Sequence, residues 1–181
     1  NKKTYKTKEP EYENLLKKSK NFRATTNIEE GLNFSDIIYI LVPTPNNGGN
    51  RFYDHNILSN LLFKINSYKV KNKNIIIGCT IMPKYIQEIG NVLIKDCVNT
   101  RLNYNPEFVA QGDIIKGYKN ADILLIGANN EKDANEIVKI HNFMINEPTY
   151  CIVNPLEAEI IKISINGYIT TKISFANMIS D

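Results

Sequence analysis

Residues 36–45 read DIIYILVPTP, and the fold turns on how Ile37 to Val42 is read. This run is apolar without alternation. A strand with one wet face would alternate with period two, so both faces here are expected to be covered. That is the pattern of a central parallel strand with helices on each side. Pro43 and Pro45 have no backbone donor for a ladder, so the chain turns out of the sheet at PTP.

Working outward, the same alternation recurs. NNGGNR is a polar, flexible loop, and Asp54 caps a helix to about Tyr68 with Ile57, Leu58, Leu61, Leu62 and Ile65 inward. A strand, Asn74 to Gly78, stops at CTIMP. Beyond Pro83 an amphipathic helix is predicted over Tyr85 to Lys95, with Ile86, Ile89, Val92 and Leu93 inward. A strand over Thr100 to Tyr104 leads into NPEFVAQG. After a loop, Asp122 opens the strand ILLIGA, and a helix, Glu131 to Phe143, and a strand, Thr149 to Val153, follow. Upstream, Pro10 opens a helix whose few core contacts are Leu15 and Leu16, a short strand is expected near Arg23 to Thr26, and IEEGLNF makes a helical turn. Strands alternating with helices specify an α/β fold, a mostly parallel sheet with helices on both faces.

From Pro155 the pattern changes. LEAEIIKISINGYITTKISFANMIS reads as one long helix, with Ile161, Ile165, Tyr168 and Ile169 as a stripe widened by Ile160, Ile163 and Ile173. So broad an apolar surface needs cover from a second domain or subunit. A polar line also survives on it, Glu159, Lys162, Asn166 and Thr170, at spacings of three and four.

Composition narrows the function. The 181 residues carry a net charge of +3, too mild for a nucleic-acid binder, and the basic residues between Lys2 and Lys20 fit a solvated helix face. The cysteines, Cys79, Cys97 and Cys151, are odd in number and show no metal-ligand spacing. They read as small buried hydrophobes in a reducing compartment, and no metal is expected. No signal peptide and no apolar run near 18 residues is seen, so a soluble, cytoplasmic protein is expected, with no membrane partner. His55 and His141 lie on predicted helices without a partner pattern and read as surface residues.

Ligands of open parallel sheets bind beyond the carboxyl ends of the strands. Three such ends carry PTP at 43–45, GCT at 78–80 and NPEF at 105–108, all on one edge. Thr44 and Thr80 are either turn residues or contacts for phosphate and ribose oxygens. Glu107 is either a carboxylate favoured by a helix start or a reacting group at a strand tip. Lys162 either pairs with an acid such as Glu159 or faces a cleft, because an unpartnered buried ammonium is costly. If Thr80 faces the cleft, Cys79 faces the core.

In this order, VPTP, CT-x-MP, NPEFVAQGDIIKG, ILLIG and AEIIKISINGYITTKISFAN resemble the UDP-glucose 6-dehydrogenase family of nucleotide-sugar dehydrogenases, from about Glu9 to Asp181. The resemblance implies a partial Rossmann-like NAD-binding domain over residues 1–153 and the start of a central dimerisation helix over 154–181, giving a homodimer through the 155–181 helix. It implies two-step oxidation of the C6 alcohol of UDP-glucose to UDP-glucuronate, a step toward polysaccharide biosynthesis, with NAD as cofactor. UDP-N-acetylhexosamine or GDP-mannose are alternative substrates, and a non-catalytic nucleotide-binding or dimerising remnant is the alternative of another class. By resemblance Val42, Pro43 and Thr44 lie near the cofactor and Thr80 contacts cofactor and water. Glu107 acts in thioester hydrolysis, Lys162 stabilises oxyanions and touches substrate, and Asn166 is a further polar group of the active site. Phe108 and Val109 touch the UDP-sugar.

Departures accompany the likeness. The glycine fingerprint and the nucleophilic cysteine segment of the family are not found in these residues, Gln111 stands where the family usually has a second Glu, and CTIMPK replaces STVPxG. The 181-residue chain by itself is therefore expected to be inactive. Measurable UDP-glucose-dependent NADH formation by the purified chain would refute this.

Overall fold

A computed structural model describes residues 7–49, 52–109, 112–145 and 147–180. In chain order the elements are α1 (Tyr12–Lys18), α2 (Ile28–Phe34), β1 (Ile37–Ile40), α3 (Asn56–Ser67), β2 (Asn74–Ile77), a π-helical turn (Tyr85–Gly90) running into α4 (Asn91–Leu93), β3 (Arg101–Tyr104), α5 (Ile114–Lys119), β4 (Leu124–Gly127), α6 (Glu131–Asn142), β5 (Tyr150–Val153) and α7 (Pro155–Ser180). The strands form one sheet in the order β1-β2-β3-β4-β5. Pairing is parallel except between β3 and β4, which meet antiparallel where their last residues, Tyr104 and Gly127, oppose each other.

The period-two geometry of the strands divides the core into two layers. Ile75 and Ile77 of β2, with Leu102 and Tyr104 of β3, pack with Leu58, Leu62 and Ile65 of α3, the π turn and Ala158 of α7. Ile76 and Ile126 face the other way, onto Ala134 and Ile137 of α6. Arg101 pins α6 through its Nε, which donates to both carboxylate oxygens of the buried Asp133 at 2.9 and 2.7 Å. Helices therefore cover both faces, as the doubly apolar strands predict.

Several expectations are corrected. β1 is an edge strand of the described sheet and only half-buried. Periodicity reports that a run avoids water, not how many strands flank it. Residues 23–26 form no strand and are exposed; Thr25 instead bonds the Glu30 carboxylate at 2.6 Å, a local contact in place of a ladder. Leu15 is exposed and Leu16 half-buried, so neither anchors α1 in the core. Ile57 is exposed because the buried arc of α3 is centred on Leu58, Leu62 and Ile65 and extends to Asn66, which bonds both the backbone and the carboxylate of Asp96.

The largest phase error lies after Pro83. An α-helix would bury Ile86, Ile89, Val92 and Leu93, but the chain buries Tyr85, Ile86, Gly90 and Ile94 and leaves Ile89 and Val92 exposed, with Leu93 only partly covered. The Asn91 N–H reaches back five residues to the Ile86 carbonyl. The wider π turn shifts the inward face, a feature often found beside functional sites.

Helix α7 docks only by its first turns. Pro155, Ala158, Glu159 and Lys162 are buried, while residues 167–180 are exposed. Gly127 makes the docking possible: a Cβ there would stand 2.7 Å from the Ala158 Cβ and 2.9 Å from the Pro155 Cα. Gly127→Ala must lift the helix or shift the strand, and overpacking of this kind costs about 1–3 kcal/mol. Urea denaturation should show that loss; an unchanged midpoint would mean that α7 does not rest on this close approach.

Candidate active site

The carboxyl ends of β1, β2 and β3 share one edge because the three strands are parallel. Beyond β3 the chain is held by Asn105. Its N–H donates to the Ile77 carbonyl at 2.9 Å and its Nδ2 to the Leu125 carbonyl at 2.9 Å. Its Oδ1 accepts from the Tyr39 hydroxyl at 3.2 Å and lies 2.7 Å from His141 Nε2. Since that oxygen can only accept, Nε2 is the protonated nitrogen of the ring. His141 is thus buried, not a surface residue, and burial lowers its pKa so that it stays neutral. His55 is also half-buried: it accepts from the Met82 N–H at 3.3 Å and packs against the Tyr85 ring.

With Asn105 fixed, Pro106 directs Glu107 into a cavity of about 450 Å³ between the β3 end, α5, α6 and α7. Glu107, Phe108 and Val109 line it together with Lys162 and Asn166 of α7. Lys162 Nζ donates to the Glu107 carbonyl oxygen at 2.5 Å and lies 4.2 Å from the centre of the Phe108 ring, a cation–π contact. The Tyr118 hydroxyl, from α5, donates to Glu107 Oε1. Asn166 Nδ2 donates to the Tyr53 hydroxyl at 3.0 Å.

Glu159 does not pair with Lys162. Its carboxylate accepts the N–H groups of Lys84 and Ile86 at 2.5 and 2.9 Å, satisfying donors at the start of the π turn. Lys162 therefore faces the cavity, the second of its two readings. Burial lowers its pKa, with Glu107 opposing that shift.

Val42, Pro43, Thr44 and Thr80 do not line this cavity; they stand at the ends of β1 and β2. Thr44 and Thr80 are half-buried, and among the described residues neither hydroxyl has a hydrogen-bond partner. Cys79 is partly buried against the core, and burial raises its pKa, so it is a poor nucleophile. Gln111 lies outside the described residues. Among the described residues no group of three potential ligands could hold a metal, and no helix is long and apolar enough to cross a membrane.

Sequence reading missed Tyr53, Asn105, Tyr118 and His141. The helix carrying Tyr118 shows no helical pattern in the sequence, because IIKGYK is short and interrupted by Gly117. The one available signal was the Asn before Pro106, a polar residue at a strand end.

Residues 1–145 match the family model described as UDP-glucose/GDP-mannose dehydrogenase family, NAD binding domain. The chain is 31% identical over 183 residues to the UDP-glucose 6-dehydrogenase YwqF of Bacillus subtilis, spanning 96% of this chain and 40% of that protein. It is 26% identical over 174 residues to the UDP-glucose 6-dehydrogenase of Rickettsia bellii, again 96% of this chain and 40% of the relative. A GDP-mannose dehydrogenase structure from Pseudomonas aeruginosa shares the fold, with a TM-score of 0.83 at 23% identity over 93% of this chain and 41% of that one. The chain thus spans about 40% of the length of these curated relatives.

The depressed pKa of Lys162 sets a pH dependence. As pH falls below the ordinary lysine value of 10.5, the unfolded chain takes the proton before the folded one, so stability falls through that window, and the penalty of burying the ammonium is fully present below the folded value. Lys162→Met removes the buried charge and should unfold at an equal or higher midpoint near pH 7. Denaturation curves at about pH 8 and pH 10 should show wild type gaining on the variant. Parallel curves would mean that burying the ammonium costs nothing.

Proposed function

The chain belongs to the UDP-glucose/GDP-mannose dehydrogenase family, and from that premise we propose that it supplies most of the NAD-binding domain and one side of the sugar site of an NAD-dependent nucleotide-sugar dehydrogenase. The observation that carries this reading is the meeting of Glu107 and Lys162, 55 positions apart in sequence, across one cavity. The proposed substrate is UDP-glucose, oxidised at C6 to UDP-glucuronate. In this reading residues 1–153 are the partial NAD-binding domain and 154–181 begin a helix that pairs two copies.

NAD, when bound, supplies the hydride acceptor for each of the two oxidations. The unpartnered Thr44 and Thr80 hydroxyls at adjacent parallel strand ends suit its ribose and amide groups, and Val42 and Pro43 frame the same turn. Lys162 uses one donor on the Glu107 carbonyl; the others are available for an oxygen that gains negative charge as the C6 carbonyl carbon is attacked. Phe108 shields that ammonium and Asn166 adds an amide to the same cavity. The Glu107 carboxylate orients or deprotonates the water that completes the acid, a contribution of about 10²–10⁴-fold.

Two features support the wider assignment. Tyr168, Ile169, Ile173, Phe175, Met178 and Ile179 of α7 are exposed, as a helix awaiting a second copy would be. The three cysteines are free, which suits a reducing cytoplasm and a role in making polysaccharide precursors.

The test is a panel of UDP-glucose, UDP-N-acetylmannosamine and GDP-mannose with NAD and the full-length protein. The true substrate should give two NADH per sugar, and Lys162→Met should reduce turnover by at least about 100-fold. No NAD reduction with any of them would leave a non-catalytic nucleotide-binding role in its place.

A further inference from the structure

We propose that Tyr118 is a positioning residue for Glu107: its hydroxyl holds Oε1 and leaves Oε2 as the oxygen presented to the cavity. The consequence for catalysis rests on the dehydrogenase reading above; the contact itself does not.

The placement is built from both ends of α5. The Glu9 carboxylate accepts the Ile115 N–H at 2.9 Å, and Lys119 pairs with Glu11 at 2.5 Å, so the segment before α1 straps the helix down. Gly117 lets α5 lie against Val109: a Cβ there would touch Val109 Cγ1 at 3.4 Å. With the helix fixed against Val109, two residues along the chain from Glu107, Tyr118 reaches the carboxylate and lines the same cavity.

The other groups around Glu107 do not do this work. Lys162, from α7, spends its contact on the backbone oxygen. Cys79 approaches from the turn after β2 and Tyr39 from β1, where its hydroxyl serves Asn105. His141 of α6 is occupied by Asn105, and Asp122, before β4, lines the cavity as a second acid. Among the described residues Tyr118 alone bonds the Glu107 carboxylate, and Oε2 has no partner. Burial first, and the Glu107 charge second, push the Tyr118 phenol far above its ordinary pKa, so it remains a donor at every working pH.

A donor to the ionised form favours that form. Removing it frees the carboxylate to rotate and makes it easier to protonate. The test is a ¹³C NMR titration of the Glu107 side chain in the 181-residue chain, assigned with Glu107→Gln. Tyr118→Phe, which keeps the ring, should raise the midpoint by about one pH unit; an unmoved midpoint overturns the proposal. The reciprocal measurement does not depend on the folding of that variant: the Tyr118 hydroxyl proton should appear as a downfield, exchange-protected ¹H signal that Glu107→Gln shifts upfield, and a signal that does not move counts against the proposal equally. In the full-length enzyme the acid limb of kcat should move up with the NMR midpoint. A limb that stays put while the midpoint moves overturns the catalytic part. Absence of any sugar oxidation, with the midpoint still shifted, sinks the dehydrogenase reading and leaves the positioning contact standing.

Discussion

The close approach of α7 to β4 at Gly127 is the constraint on which the site depends. Tyr104 and Gly127, the last residues of β3 and β4, meet side by side, and the first turn of α7 settles on them through Pro155 and Ala158. Ala158 is fully buried, which fixes the rotation of the helix about its own axis. One turn further on, that rotation aims Lys162 at the backbone of Glu107. A side chain at position 127 would displace the ammonium along with the helix.

The polar side chains of α7 divide their labour by helical geometry. Glu159 and Lys162 are three residues apart on neighbouring faces. The acid turns toward the π turn and accepts two backbone donors there; the base turns toward the cavity. Had they paired with each other, two N–H groups at the start of the π turn would have lost their acceptor, at a cost of about 1–3 kcal/mol each if left buried and unpaired. The π turn and the cavity wall are therefore registered against one another through a single helix.

Much of this was legible in the sequence. The unbroken apolar runs at Ile37 and Ile123 announced a sheet covered on both faces, and the prolines at 43, 45 and 106 marked where the chain leaves the sheet. Lys162 stood out as a charge on an apolar helix. What stayed hidden has physical causes. The π turn adds a residue to one revolution, and a 3.6-residue template then misplaces Ile89, Val92 and Ile94. The network of Asn105, Tyr39 and His141 joins three distant segments of chain, so no local spacing reveals it. Tyr118 rides on a helix too short and too glycine-broken to show a face.

The free half of α7 has a mechanical meaning. The helix rises about 1.5 Å per residue, which puts Ser180 about 33 Å from the docked Ala158. A tilt of about 5° about that fulcrum would carry the tip by about 3 Å over that length. The converse holds as well: a surface gripping the far end constrains the angle at the base far more tightly than the contacts at Gly127 can alone. A surface that gripped the outer turns of this lever would act as a vernier for the ammonium of Lys162.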